Sequence, residues 1–391
     1  MITTDVKKYN KNRVFRLIHY AGKISRQEIA DILGLSLPTV NQNLKMLAED
    51  GLIEFVGNFA STGGRKAQAI TVRKKAKCAI SVNLLANRIH VALVDLRGEI
   101  LCSVQSGVSF SDNEKYLQTM TDLIADVVMR NGIKTSSILG VGITIPGVLD
   151  TQQNIIVSAP TMHVQNYSIE KITARIPYHC IVMNDAKAHS YAEFWHHRKC
   201  TDVQSIDAEK FDKIITAKEE LNQLYLMLGE GVGGSYITNE KIMQGEHNRY
   251  GEFGHMTIYP KGKRCTCGRQ GCFEAYVSAR CLSTELGISL EQFFEELEQH
   301  DSQRSSYFAQ YIDDFTTGVN NLYTIYDCNI VIGGVVSPYL KPYEQKIRDI
   351  LRKKYAFDTD AAYFHLAECG VEESDAGAAL TFLGAFIQEV S

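Results

Sequence analysis

The sequence predicts two modules, a small winged helix-turn-helix head in front of a larger α/β body. Three observations predict them. Residues 1–78 carry 14 Lys and Arg against 6 Asp and Glu, whereas the remainder carries 27 against 39, so a basic head precedes an acidic body. The head strings short helical patterns around a glycine and then turns to two extended stretches. From Cys78 onward, strand-forming runs that end in glycines alternate with helical patterns, as in an α/β fold whose ligand loops lie at strand ends.

Length and composition agree. A chain of 391 residues suits two or three domains, and 45% hydrophobic with 22% charged residues is ordinary for a globular protein. Its apolar runs stay below the roughly eighteen residues that a membrane span needs, so no membrane insertion is expected. Met1-Ile2-Thr3-Thr4-Asp5 lacks the basic-then-apolar pattern of an export signal, and a cytoplasmic location is expected. Of the ten cysteines, seven are scattered and three crowd between Cys265 and Cys272, which in a reducing compartment points to a metal site before a disulfide frame.

The head is expected to span residues 1–77. An upstream helix, about Lys8 to Tyr20, offers Val14, Leu17 and Ile18 to a core. Ser25-Arg26-Gln27-Glu28 forms a capping box for a second helix with Ile29, Ile32 and Leu33 on one face. Gly34 ends it, and Ser36 caps a third helix with Pro38 in its first turn. Leu37, Val40, Leu44 and Leu47 recur at helical spacing and are expected inside, which leaves Thr39, Asn41, Gln42, Asn43 and Lys45 outside. Two extended stretches, Leu52–Val56 and Ala67–Val72, flank Ser61-Thr62-Gly63-Gly64-Arg65-Lys66 and read as a β-wing with a cationic tip. Thr39, Asn41 and Gln42 suit base edges, and Lys45, Arg65 and Lys66 suit phosphates, so double-stranded DNA is the expected partner of the head.

In the body, Ala79–Leu84, Arg88–Asp95 and Glu99–Ser106 read as consecutive strands, followed by a helix near Asn113–Met129 and a strand at Ile138–Ile145. Cys180–Met183, Leu224–Leu228 and Asn329–Ile332 are further strands, the last two running into glycines. The polar segment His197–Asn222 reads as a surface insertion. His255, Cys265, Cys267 and Cys272 are the sharpest signal. Three thiolates and an imidazole suit tetrahedral zinc, and with four protein ligands one such ion per chain is structural. The acidic surroundings and unpaired spacing argue against a DNA-binding finger.

At these residues the chain resembles the ROK family, which groups sugar-responsive repressors, uncharacterised reading frames and sugar kinases. Glu252-Phe253-Gly254-His255 matches its Glu-x-Gly-His motif, and Cys265-Thr266-Cys267-Gly268-Arg269-Gln270-Gly271-Cys272-Phe273-Glu274 matches its Cys-x-Cys-Gly-x-x-Gly-Cys-x-Glu signature. Ser374-Asp375-Ala376-Gly377-Ala378-Ala379 extends the resemblance to the C-terminal region. It implies an actin-like, hexokinase-like fold of two lobes, residues 78–185 completed by about 374–391, and residues 186–373. It implies sugar contacts at Asn184, Asp185, Glu252, His255 and Glu274, groups whose carboxylates and amide suit vicinal hydroxyls. His255 is then expected to serve metal and sugar through its two nitrogens.

In the family's kinases Asp185 would be the catalytic base. Those kinases carry Asp-x-Gly-Gly-Thr at the first phosphate loop, whereas this chain has Asn83-Leu84-Leu85-Ala86-Asn87, and Glu230 stands where they have Thr in the second. Leu85 and Ala86 in place of glycines obstruct backbone contact with phosphates. The resemblance therefore implies a repressor of sugar-utilisation genes with a vestigial base, binding operator DNA as a homodimer or homotetramer and a sugar or sugar phosphate as effector. The alternative is an ATP-dependent sugar kinase with an appended head. A transport-system protein is a further partner compatible with the repressor reading. Glucose, N-acetylglucosamine, xylose and their phosphorylated relatives all suit the family.

Overall fold

The computed structural model describes residues 3–59, 67–197, 211, 222–246, 249–357 and 360–390. The chain forms two compact units, Met1–Glu220 with Cys369–Ser391, and Leu221–Glu368, so the second is inserted within the first.

The head opens the first unit with helices α1 (Thr3–Ala21), α2 (Arg26–Leu33) and α3 (Leu37–Glu49) and strands β1 (Ile53–Asn58) and β2 (Gln68–Val72). Ser25 Oγ accepts from the Glu28 N–H at 3.3 Å while Glu28 Oε2 accepts from the Ser25 N–H at 2.7 Å, a complete capping box. Ser36 Oγ accepts the Thr39 N–H at 3.3 Å and starts α3. Val14, Leu17, Ile18, Ile29, Val40, Leu44 and Leu47 close the core, and β1 pairs antiparallel with β2.

Two expectations for α3 fail. Leu37 is 43% exposed, because it sits in the first helical turn, which the core does not cover. Asn43 is buried at 5% exposure, its Nδ2 donating back to the Thr39 carbonyl at 2.8 Å, so its amide is satisfied inside its own helix and is not on the outer face. The wing tip, with Arg65 and Lys66, lies outside the described residues.

Behind the head, β3 (Cys78–Leu85), β4 (Arg88–Asp95), β5 (Ile100–Ser106), α4 (Glu114–Arg130), β6 (Ile138–Ile145), β7 (Val148–Asp150), β8 (Ile155–Ala159), β9 (Val164–Ser168), α5 (Glu170–Thr173), β10 (Cys180–Asn184) and α6 (Asp185–His197) follow in order. The main sheet runs β10-β6-β3-β4-β5, with β6 and β10 parallel to β3 and the β3-β4-β5 run antiparallel. Tyr116, Met120, Ile124 and Val127 of α4 join the same core as Ile80, Val82, Val91 and Ile143 of the sheet. The final helix, Gly377–Glu389, approaches β6 so closely that a Cβ on Gly142 would lie 2.4 Å from the Ala378 carbonyl carbon. Its C-terminal carbonyls are also where the head is tied: Asn12 Nδ2 of α1 lies 3.0 Å from the Ile387 oxygen and 3.1 Å from that of Val390.

The second unit holds β11 (Gln223–Leu228), β12 (Val232–Thr238), β13 (Lys241–Ile242), β14 (Asn329–Gly333) and β15 (Phe364–Leu366) in the order β13-β12-β11-β14-β15. The long helix Ser302–Tyr326 and the helices Leu290–Glu298 and Glu344–Lys354 bury Phe293, Phe308, Phe315 and Ile347 with Ile330 and Phe364 of the sheet. Most of the expected insertion between His197 and Asn222 lies outside the described residues, but Phe211 departs from a purely surface reading. It is buried, its ring 6.5 Å from that of Tyr20 on α1. Among the described residues no helix is long and apolar enough to cross a membrane.

Candidate functional site

The outer face of α3 exposes Asn41, Gln42 and Lys45 and leaves Thr39 half-buried, with Lys45 3.8 Å from Glu49 one turn on. Beside them lies a shallow dent lined by Arg26, Asn41, Leu44, Lys45, Ala48 and Phe55, with Glu49 at its acidic edge. Arg26 stacks over the Phe55 ring at 5.5 Å, which holds a second cation next to the polar face of α3. The arrangement offers amides, a hydroxyl and two cations on one surface, which is donor and charge chemistry for a polyanion with readable edges.

In the second unit, one ligand atom from each of His255, Cys265, Cys267 and Cys272 lies within 4.8 Å of the others, so the four side chains can hold one metal ion. Cys265 Sγ is 3.8 Å from His255 Nδ1, and Cys267 Sγ is 3.7 Å from Cys272 Sγ. His255 ends the 3-10 turn Phe253–His255, and the three cysteines lie on a loop pinned by the isolated bridges Thr257–Cys272 and Arg264–Gln270. Gly271 is needed there: its φ is +80° and a Cβ would sit 1.7 Å from the Tyr259 carbonyl oxygen. Burial raises the Cys265 thiol and pushes Cys272 up to about 12. At Cys267 burial also acts upward, but the Arg269 backbone N–H and the neighbouring thiols outweigh it and lower the group. Buried thiols of this kind ionise when a cation compensates them, which is the condition a divalent ion supplies.

The acids of this unit surround the cluster. Glu274 is buried, and both its oxygens have protein partners: Oε2 accepts from the Val232 N–H at 3.0 Å, Oε1 from the Thr266 hydroxyl at 2.8 Å. Oε1 is also 3.5 Å from Cys265 Sγ. Glu252 is more open, its Oε2 3.9 Å from His255 Nε2. His255 thus turns Nδ1 toward the thiols and Nε2 toward a carboxylate, the two-sided use expected of a ligand imidazole.

In the first unit, Asn184 and Asp185 meet where β10 passes into α6. Asn184 donates to the Gly147 carbonyl at 2.7 Å and accepts from the Ala186 N–H at 2.8 Å, which fixes the amide and leaves one N–H and one lone pair for a ligand. Asp185 accepts from the same Ala186 N–H at 2.9 Å. Burial raises its carboxyl above the usual range, with His189 acting downward and Asp375 upward. Asp375 lies between two imidazoles, 3.2 Å from His90 Nδ1 and 3.5 Å from His189 Nε2. Burial acts upward on it as well, but these two contacts prevail and hold it below the usual carboxylate range. Its backbone oxygen accepts from Ser81 and from Asn83 Nδ2, and the Thr144 hydroxyl donates to Asn83 Oδ1.

The stretch Asn83–Asn87 is a tight hairpin. The β3–β4 ladder runs unbroken from Cys78–Asp95 to Leu85–Arg88, leaving Ala86 and Asn87 as the turn. Glu230 is solvent-exposed in the turn between β11 and β12.

A family model described as the ROK family matches residues 79–386, and one described as winged helix-turn-helix DNA-binding matches residues 9–54. The chain belongs to the ROK family. The xylose repressor of Caldicellulosiruptor bescii is 26% identical to this ROK protein over 377 residues, covering 90% of this chain and 89% of the relative. The DNA-binding transcriptional dual regulator NagC of Escherichia coli is 27% identical over 293 residues, 74% of this chain and 67% of that one. Among solved structures, a ROK family transcriptional regulator described as a homologue of the Escherichia coli MLC protein superposes over 98% of both chains with a TM-score of 0.71 at 21% identity. The ROK hexokinase of Thermus thermophilus covers 79% of this chain and 99% of its own, with a TM-score of 0.63 at 23% identity. These likenesses establish the winged helix-turn-helix and the actin-like, hexokinase-like fold of this ROK protein.

Sequence reasoning missed several residues of these sites. Arg26 belongs beside α3 because Phe55 of β1 supports it, a pairing across 29 positions that no local pattern carries. Thr266 holds Glu274, though it reads as the variable position of a motif. His90 and His189 meet Asp375 only because β4 and α6 converge on the start of the returning segment.

Proposed function

We propose that this ROK protein is a DNA-binding transcriptional repressor of carbohydrate-utilisation genes whose operator affinity is controlled by a bound sugar. The observation that carries this reading is a head with an exposed amide, hydroxyl and cation face joined to a ROK domain, a combination that runs through 90% of the chain in the match to a xylose repressor. Functionally, residues 1–77 form the DNA-binding domain, with Thr39, Asn41, Gln42 and Lys45 on DNA and Arg65 and Lys66 at the wing tip. The α/β part of the first unit, from Cys78 to Glu220 with Cys369–Ser391, and the inserted unit Leu221–Glu368 form the two sugar-binding lobes, in place of a division at residues 185 and 186. Asn184, Asp185, Glu252, His255 and Glu274 take sugar hydroxyls, and a zinc ion bound by His255, Cys265, Cys267 and Cys272 keeps the loop that carries Glu274 in shape.

The protein acts without phosphoryl transfer. In support, the β3–β4 hairpin carries Leu85 and Ala86 at positions where close backbone approach to an anion calls for glycine, and Glu230 adds negative charge in the second loop. Paired half-sites on operator DNA call for a homodimer or homotetramer in the cytoplasm. A transport-system protein is a compatible further partner.

The test is operator binding by the full chain with and without xylose, glucose and N-acetylglucosamine and their 6- or 5-phosphates, together with an assay for ATP turnover. One of these ligands should change operator affinity by about 5- to 150-fold. Lys45→Ala should weaken binding to all sequences and lower the salt slope by roughly one. Sugar-dependent ATP turnover abolished by Asp185→Asn would replace the repressor reading with the kinase one.

A further inference from the structure

The helix α6 begins at Asp185 and ends where the head is seated. It spans Asp185–His197, a rod of roughly 18 Å at 1.5 Å per residue. It is fastened to the final helix along its length: a Cβ on Gly377 would lie 1.8 Å from the Ala188 carbonyl oxygen, and one on Gly384 2.2 Å from the Tyr191 hydroxyl. Contacts this close leave no slack, so α6 shifts as a body rather than by bending.

Near the far end, Trp195 is buried, and the His19 ring of α1 stands edge-on to it at 5.6 Å and 81°. His19 Nε2 donates to the Leu96 carbonyl at 2.9 Å, which anchors α1 to the β4–β5 turn. That turn is moulded on the same indole, for a Cβ on Gly98 would lie 2.2 Å from Trp195 Nε1. One ring therefore touches both the head and the turn that holds the head. Beside it, the buried Glu193 binds the backbone N–H of Cys369 at 3.1 Å through Oε2 and His197 Nε2 at 3.0 Å through Oε1. Cys369 is the residue at which the chain re-enters the first unit. Glu193 thus ties the last turn of α6 to the chain crossing.

We propose that Trp195 is the positioning residue that couples sugar occupancy at Asp185 to the placement of the DNA-binding head, with α6 as the rigid link and Glu193 as its anchor at the crossing. The inference rests on the repressor reading above. A ligand that draws on Asp185 loads one end of α6, and at the other end Trp195 bears on His19 and the Gly98 turn. Coupling of this kind is the difference in free energy between two seatings of α1, so it disappears when the contact that distinguishes them is removed.

Trp195 is the sole tryptophan of the chain, so its emission reports from the junction directly. The experiment uses the full-length, metal-loaded protein with xylose, glucose and N-acetylglucosamine as probes. It follows sugar binding by calorimetry, operator affinity with and without sugar, and tryptophan emission. Wild type should show an emission change that saturates with the sugar. Trp195→Ala and His19→Ala should bind sugar within about twofold of wild type, yet lose the roughly 5- to 150-fold sugar effect on operator affinity. Trp195→Phe, which keeps a ring against His19, should retain most of it. A folded Trp195→Ala that keeps the full sugar effect, or wild-type emission that ignores a sugar which calorimetry shows to bind, overturns the inference alone. A wild type whose operator affinity no probe alters overturns the repressor reading, and the inference with it.

Discussion

Asp185 and Glu274 are both carboxylates assigned to sugar hydroxyls and both open a helix, but the two units lead the chain to them differently. Asp185 stands at the passage from a sheet strand into a helix, with Asn184 pinned at both ends of its amide. Ladder and helix hydrogen bonds position it, and no ion is required. Glu274 opens the single-turn helix Glu274–Val277 behind a loop held by the isolated bridges Thr257–Cys272 and Arg264–Gln270 and by local backbone bonds such as Cys265 N–H to the Arg269 carbonyl, and its oxygens accept from Val232 and Thr266. There the close approach of three thiols and an imidazole adds to what these short elements provide. The lesson is that a site residue carried by a short helix behind a long loop gains from a cross-link in that loop, and the cysteine cluster is placed to bind one.

Removing that cross-link should have the largest effect. Cys272→Ser should cost more metal affinity than the 10- to 100-fold typical of losing a supporting group, and should expose the amides between about 256 and 273 to hydrogen exchange. The neighbourhood of Asp185 should keep its protection. Equal protection of the loop with and without a chelator would erase the contrast between the units.

A smaller loss is expected at the carboxylate itself. Glu274→Ala leaves the Val232 N–H without its partner in a buried setting, a cost of about 1–3 kcal/mol by chemical denaturation. Glu274→Gln keeps one acceptor oxygen and should recover part of it. Indistinguishable stability for Ala and Gln would mean that these bonds do not hold the loop.

The smallest effects sharpen the comparison inside the first unit, where two acids are displaced in opposite directions. Burial raises Asp185, so its contribution to stability is present below the ordinary carboxylate range and is lost as pH rises through the raised value. Asp185→Asn should therefore raise Tm at pH 7–8, and the gain should vanish on acidification. For Asp375, burial acts upward, but the contacts with His189 and His90 win and lower it. Its contribution is present above the ordinary range and is lost as pH falls through the lowered value, so Asp375→Asn should lower Tm at neutral pH. Melting curves across pH that move the two variants in the same direction would contradict this assignment.

The architecture was legible where local chemistry decides it. The capping box at Ser25, the strands Arg88–Asp95 and Ile138–Ile145 and the four-residue Cys/His cluster all follow from neighbours in sequence. What escaped is set by packing between distant segments. Asn43 carries the residue type of an outer-face reader, yet the angular position of its Cβ turns it into the head core. Phe211 lies in a polar stretch and is nevertheless buried, near Tyr20. The partners of Asp375 come from β4 and α6, positions that periodicity cannot bring together.

The close seat of Ala378 on Gly142 has a consequence for how the molecule is made. The strand is translated long before its cover: about 230 residues separate Ile145 from Ala378, and at roughly 5–20 residues per second the ribosome needs about 10–50 s to deliver them. Throughout that interval one face of the first sheet lacks its final helix, while the inserted second unit is already being completed. The nascent chain therefore carries an uncovered apolar sheet face for far longer than a hydrophobic collapse takes, and α1 waits longer still, because the Ile387 carbonyl that Asn12 binds lies 375 residues on.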